Sequence, residues 1–223
     1  MRERSLPRRS FLAAVATAAG VTALTPLFSG AEGRLEAAEA PAAPWDLSWL
    51  DKLEGKHRQV FEVGKKIEDV PGPLHIVGNY LDAWRDVYGL EFPQIDTIVG
   101  IAGSGFPINV SNAIWAKYKV GEKWQIPDES GKSSASHNVF LESPASDTKR
   151  ASVKGLQARG TIFTQCNNAL RQIAKEFALA SHDSVDNVYA ELVAGLNPGV
   201  RLVPANTMLI GLAQEHGCAY ESV

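Results

Sequence analysis

The residues in this sequence with the clearest chemical potential are Gln165-Cys166-Asn167-Asn168. A short strand-like run, Thr161 to Gln165, precedes the cysteine, and a helix-period run from Asn167 to about Ala180 follows it. Cys166 is therefore expected to end a buried strand and to sit at the N-terminus of the next helix. The positive end of a helix dipole favours a thiolate over a thiol, and the thiolate is the nucleophilic form. Asn167 and Asn168 offer helix capping and hydrogen-bond donors to a bound anion. Arg171, about one turn further on, offers positive charge. Free cysteine is also among the most buried residue types, so an inert core thiol remains the other reading of Cys166.

A second junction, Gly103-Ser104-Gly105, follows the apolar run Ile95 to Ala102. Its spacing lacks the G-x-G-x-x-G order of a dinucleotide fingerprint and the Gly-Lys-Ser/Thr ending of a P-loop. Ser104 is not in a nucleophile elbow, because position 102 is Ala rather than Gly. What remains is a helix N-terminus able to hold an anion on its free N–H groups, or a tight turn with no ligand. His57, His75, His137, His182 and His216 are scattered, with no pair four residues apart, so no metal site is expected. Glu68-Asp69 and Asp183/Asp186 read as capping and solvated charge. No cofactor is expected. Cys218 reads as core. A Cys166–Cys218 disulfide is conceivable in an oxidising compartment, provided the two alpha carbons lie within about 7 Å.

The elements that must position these residues alternate from residue 57 onward. Arg58 to Val63 alternates polar and apolar side chains, as a strand does. Leu74, Val77, Leu81, Trp84, Val87 and Tyr88 repeat at helical spacing up to Gly89, a helix stop. Ile95 to Ala102 is a strand of the kind buried in a parallel sheet. A helix is expected from Pro107 to about Lys119. Residues 120–150 break the rhythm and read as a functional flap or a disordered insertion. Alternation resumes with a strand at 161–165 and helices at 167–180 and 185–196. A strand at 200–204, a helix at 207–216 and a strand at 218–221 complete the series. The expected fold is α/β, a three-layer, mostly parallel sheet with helices on both faces.

The first segment is an address. Arg8-Arg9-Ser10-Phe11-Leu12 resembles a twin-arginine export motif, with Ala13 where Lys is usual, and an uncharged run to Phe28 follows. Residues 1–31 are read as this signal, cleaved near Ser29-Gly30-Ala31, with an uncleaved anchor as the other reading. Residues 32–56 are read as a linker and N-terminal anchor carrying Trp45, Leu47, Trp49 and Leu50. Signal removal takes away four Arg and one Glu, leaving 18 basic against 24 acidic side chains and a net charge of about −6. Such a chain has no basic face for nucleic acid and, once cleaved, no segment to insert in a membrane. The expected location is the periplasm. Two cysteines in 223 residues exclude a disulfide scaffold.

Gly160 to Ala174, with Cys166 at its centre, resembles the strand–Cys–helix segment of the DsrE/DsrF-like family. Pro198 to Pro204 and Ala213 to Tyr220 resemble that family's last strand–helix–strand, and Asn112 to Gly121 resembles a segment of its exported branch. The resemblance spans roughly residues 57–223. It implies a compact α/β domain that assembles as a homo-oligomer, a trimer or hexamer. It also implies a persulfide at Cys166 exchanged with a donor or acceptor protein. The export signal and the 120–150 insertion depart from the cytosolic relay members. The expectation is an envelope sulfur-handling protein with Cys166 as carrier. Two readings compete with it. One is a non-catalytic module holding a small anion or a protein between the 103–105 turn and the 120–150 segment. The other is a structural subunit in which both cysteines are core.

Overall fold

The computed structural model describes residues 45–223 apart from 65, 66, 68 and 69. The segment read as an export signal and most of the segment read as a linker lie outside the described residues, as does the Glu68-Asp69 pair.

Five strands form one sheet: β1 (His57–Val63), β2 (Ile95–Ile101), β3 (Ile162–Cys166), β4 (Arg201–Val203) and β5 (Ala219–Ser222), in the order β4-β3-β2-β1-β5. All four pairings are parallel. The fold is α/β. Strand side chains alternate between faces, and the two sets bury in separate cores. Phe61, Val63, Val99, Ile101 and Phe163 face the larger core. The helices that wall its other side include α1 (Leu74–Tyr88), α3 (Asn112–Tyr118), α5 (Val153–Ala158), α6 (Asn167–Ser181) and α7 (Val185–Ala194). Val60, Ile98 and Val203 face the smaller core, closed by α8 (Asn206–Glu215) and by Trp49 and Leu50 of a 3-10 turn at Ser48–Lys52.

The two faces follow from chain direction. From β1 to β4 each strand is added on the same side, so right-handed crossovers put every intervening helix on one face. The step from β4 to β5 runs back past β1, and the same handedness sends α8 to the other face.

The helix expected over 107–119 is broken. A four-residue helix α2 (Phe106–Asn109) ends at Val110, which is extended (φ −110°, ψ 149°). The cause lies elsewhere in the chain: the Asn138 side-chain amide donates to the carbonyls of Ile108 and Val110, and Ser111 N–H donates to Gly195 O. These bonds replace the helical ones. Residues 120–150 are neither a free flap nor structureless. They begin with α4 (Val120–Trp124), and Ile126, Val139 and Phe140 are buried in the larger core. The excursion is irregular but packed, because its apolar side chains have somewhere to go. Helix α5 was not expected from the sequence; Ser152 caps it, accepting from Gly155 N–H at 3.2 Å.

Candidate functional site

Cys166 is the last residue of β3 and the N-cap of α6, with extended backbone (φ −67°, ψ 118°). Helix α6 thus starts one residue earlier than a cap at Asn167 requires. Sγ lies on the face of the sheet covered by α8, since Cys166 shares the parity of Ile162, which packs in the smaller core. Asn206 is the first residue of α8, and its backbone N–H donates to Cys166 Sγ at 3.4 Å. That N–H is one of the helix's terminal donors without a partner inside the helix. The N-cap residue of α6 and the first donor of α8 therefore meet at Cys166, whose Sγ accepts from α8 and makes no capping bond to α6.

This meeting point follows from topology. Strands β3 and β4 are neighbours, yet the helices after them leave to opposite faces. Such a switch point opens a crevice at the carboxyl ends of the strands, where ligands of open α/β sheets bind. The Asn206 N–H, at the N-terminus of α8, is a donor of the kind that pairs with an anion.

Asn167 is 7 % exposed, and its Oδ1 accepts from the Tyr189 hydroxyl at 2.6 Å. The Arg171 guanidinium lies over the same tyrosine ring, 4.1 Å from its centre. Asn168 is exposed. Asn167 therefore borders Cys166 within a braced group, whereas Asn168 and Arg171 lie on the outer surface of α6. Gly103, Ser104 and Gly105 follow β2 at the neighbouring strand end, since Ile101 pairs with Gln165. Gly105 packs against Val63, where a Cβ would come within 2.8 Å of a methyl. A tight turn holds the segment, with Phe106 N–H donating to Gly103 O.

Several site residues were missed by sequence reasoning. Asn206 was placed before the helix start at Thr207, although it follows a short strand and Pro204, the same kind of junction that marked Cys166. Its Nδ2 donates to Glu62 Oε1 at 3.4 Å, and its Oδ1 is buried without a partner. Glu62 also accepts from the Tyr220 hydroxyl, which raises the phenol above its usual range. Gln165, fully buried, accepts from the Asn109 side-chain amide at 3.2 Å.

Cys218 is remote. It precedes β5, which is three strands from β3, and stands level with Arg58, whereas Cys166 is level with Gly64. Strand spacing gives about 14 Å sideways and about 20 Å along the strands. A bridge between the cysteines is excluded, and both are free. Burial pushes the Cys218 thiol up to about 11. A cleft of about 460 Å³ lies between α1 and the 120–150 excursion, lined by His75, Asp82, Glu129, Asp147, Lys149 and Arg150 among others. The 103–105 turn takes no part in it. Among the described residues no group of His, Cys, Asp and Glu is arranged to hold a metal ion, and no helix is long and apolar enough to cross a membrane.

No family model matches the sequence, and no match is found among curated proteins. Among solved structures, a protein of unknown function from Methanobacterium thermoautotrophicum is similar with a TM-score of 0.40 and 17 % identity, over 75 % of this chain and 99 % of that one.

Proposed function

We propose that this protein is a sulfur carrier whose working atom is Cys166 Sγ. The observation that carries the reading is the N–H of Asn206, at the N-terminus of α8, donating to that atom at the end of β3. In the loading step the Cys166 thiolate attacks the sulfane sulfur of a donor such as thiosulfate. A Cys166 S–S bond forms as the donor's S–S bond breaks, and sulfite leaves with the electron pair. The resulting persulfide is anionic at its outer sulfur, beside the Asn206 N–H. An acceptor thiolate then takes the outer sulfur and leaves the Cys166 thiolate behind. Export by the twin-arginine route, a periplasmic location and a trimeric or hexameric assembly belong to the same reading, supported by the N-terminal motif and the DsrE/DsrF-like resemblance.

The test is intact-mass analysis of unreduced protein before and after incubation with thiosulfate or polysulfide. The parent gains sulfur, mapped to Cys166, and Cys166→Ser gains none. Loading that persists in the variant sinks the reading.

The low exposure of Cys166, 7 %, favours a second reading, the structural subunit in which both cysteines are core. Cys166→Ser would then lower stability and change nothing else, and a parent that gains no sulfur would establish it.

A further inference from the structure

The donor aimed at Cys166 is held from two strands away on the same face of the sheet. Along the face covered by α8, Glu62 of β1 stands beside Gly100 of β2, which stands beside Thr164 of β3, two residues before the cysteine. The Asn206 side chain lies across this row. Its Oδ1 sits over Gly100, where a Cβ would come within 2.5 Å, and its Nδ2 reaches Glu62 Oε1 at 3.4 Å. Glu62 is steadied in turn by the Tyr220 hydroxyl on Oε2 and by its own carbonyl, which accepts from Val223 N–H at 2.9 Å. Asn206 is 3 % exposed and leaves Oδ1 unpartnered, an arrangement that costs about 1–3 kcal/mol. An apolar residue in the same space would avoid that cost. Gly100 makes room for the amide and the Glu62 carboxylate accepts from it.

We infer that Glu62 is a positioning residue for the sulfur site. By holding the Asn206 side chain across Gly100, it fixes the first residue of α8 so that its backbone N–H meets Cys166 Sγ. Glu62 does not touch the sulfur. Its own charge opposes a thiolate, while its acceptor oxygen favours one through Asn206, so the two effects have opposite signs and are separable. The ionisable groups along this path are Glu62, Tyr220, Cys166 and Arg201 of β4, which pairs with Thr164 and holds its guanidinium over the Trp49 ring, 5.4 Å from its centre; Arg171, on α6, is stacked on Tyr189.

The inference rests on the carrier reading for its significance but not for its test. In the full chain carrying Cys218→Ala, the pH at which thiolate ultraviolet absorbance appears is measured for the parent, Glu62→Ala, Glu62→Gln and Gly100→Ala. Glu62→Ala loses the acceptor, and the midpoint rises by about one pH unit, a ten-fold change in thiolate fraction. Glu62→Gln loses the charge but keeps an acceptor oxygen, and its midpoint stays at the parent value or falls. Gly100→Ala pushes the Asn206 amide aside, and its midpoint rises as in Glu62→Ala. If Glu62→Ala is unchanged or falls, Glu62 acts through its charge or not at all, and the inference is wrong. A rise in Glu62→Gln equal to that in Glu62→Ala overturns it as well. Glu62 is half-buried at a strand end, so its variants decide the matter even if Gly100→Ala does not fold. Sulfur loading of the parent is read separately by mass. Its failure would remove the carrier reading and leave the midpoints standing.

Discussion

The backbone N–H of Asn206 points at Cys166 Sγ from 3.4 Å, joining two strand ends that are 40 residues apart in the chain. Neither residue makes this site alone. Cys166 brings the sulfur and the end of α6, and Asn206 brings the end of α8 from the opposite face of the sheet.

Proline at position 206 isolates that donor. It is at home in the first helical position, where the missing N–H has no partner inside the helix. Ala205 already has the extended backbone (φ −149°, ψ 141°) that a following proline demands. A hydrogen bond to a charged acceptor is worth about 1.5–3 kcal/mol. Asn206→Pro is therefore expected to slow sulfur loading by about ten-fold or more. Asn206→Ala keeps the N–H and loses less. Time-resolved mass analysis measures both, and a proline variant that loads at the parental rate would show that the donor is irrelevant.

The two cysteines are equally hidden, 7 % for Cys166 and 6 % for Cys218, so exposure does not distinguish them. Their surroundings do. Cys218 packs among Val60, Leu209 and Ala213, and burial holds its thiol up at about 11. At neutral pH it stays protonated and poorly nucleophilic. Limited alkylation of native protein with iodoacetamide should label Cys166 first and Cys218 only after unfolding. Peptide mapping reads the order, and earlier labelling of Cys218 would contradict it.

Much of this site could be read locally. Cys166 at a strand–helix junction is a pattern of neighbours, as is the helix stop at Gly89, which adopts the left-handed conformation (φ 66°). What could not be read depends on residues distant in the chain. Asn206 and Glu62 are 144 positions apart, and nothing near either announces the contact. The break at Val110 is dictated by Asn138, 28 residues on. The 120–150 excursion has glycines and prolines that look like a loop. Its few apolar residues bury only because α3 and α5 offer them a wall.

That wall gives a stability prediction. Phe140 is 1 % exposed and its ring lies 6.3 Å from that of Trp115. Truncating a fully buried phenylalanine costs about 3–5 kcal/mol. Phe140→Ala should lose this amount in urea denaturation of the whole domain, with one cooperative transition. A loss below about 1 kcal/mol would mean that the excursion is a separable appendage.

The last prediction concerns pH. His216, just past α8, has Nδ1 2.8 Å from Leu212 O and Nε2 3.0 Å from Asp51 Oδ1. Both neighbours only accept, so both ring nitrogens must donate, which requires the imidazolium. The Leu212 carbonyl first, and then the Asp51 carboxylate, raise the histidine above 6.5. A folded-state value above the unfolded one means that the unfolded chain gives up its proton first as pH rises. The contact's contribution is fully present below 6.5 and is lost as pH rises through the raised value. Asp51→Asn should therefore lower the melting temperature below pH 6.5, and the gap to the parent should close at alkaline pH. The effect is small, because the pair is exposed and salt screens it. A gap that widens with pH would show that His216 is neutral in the folded protein and that Asp51 holds the 3-10 turn on α8 by other means.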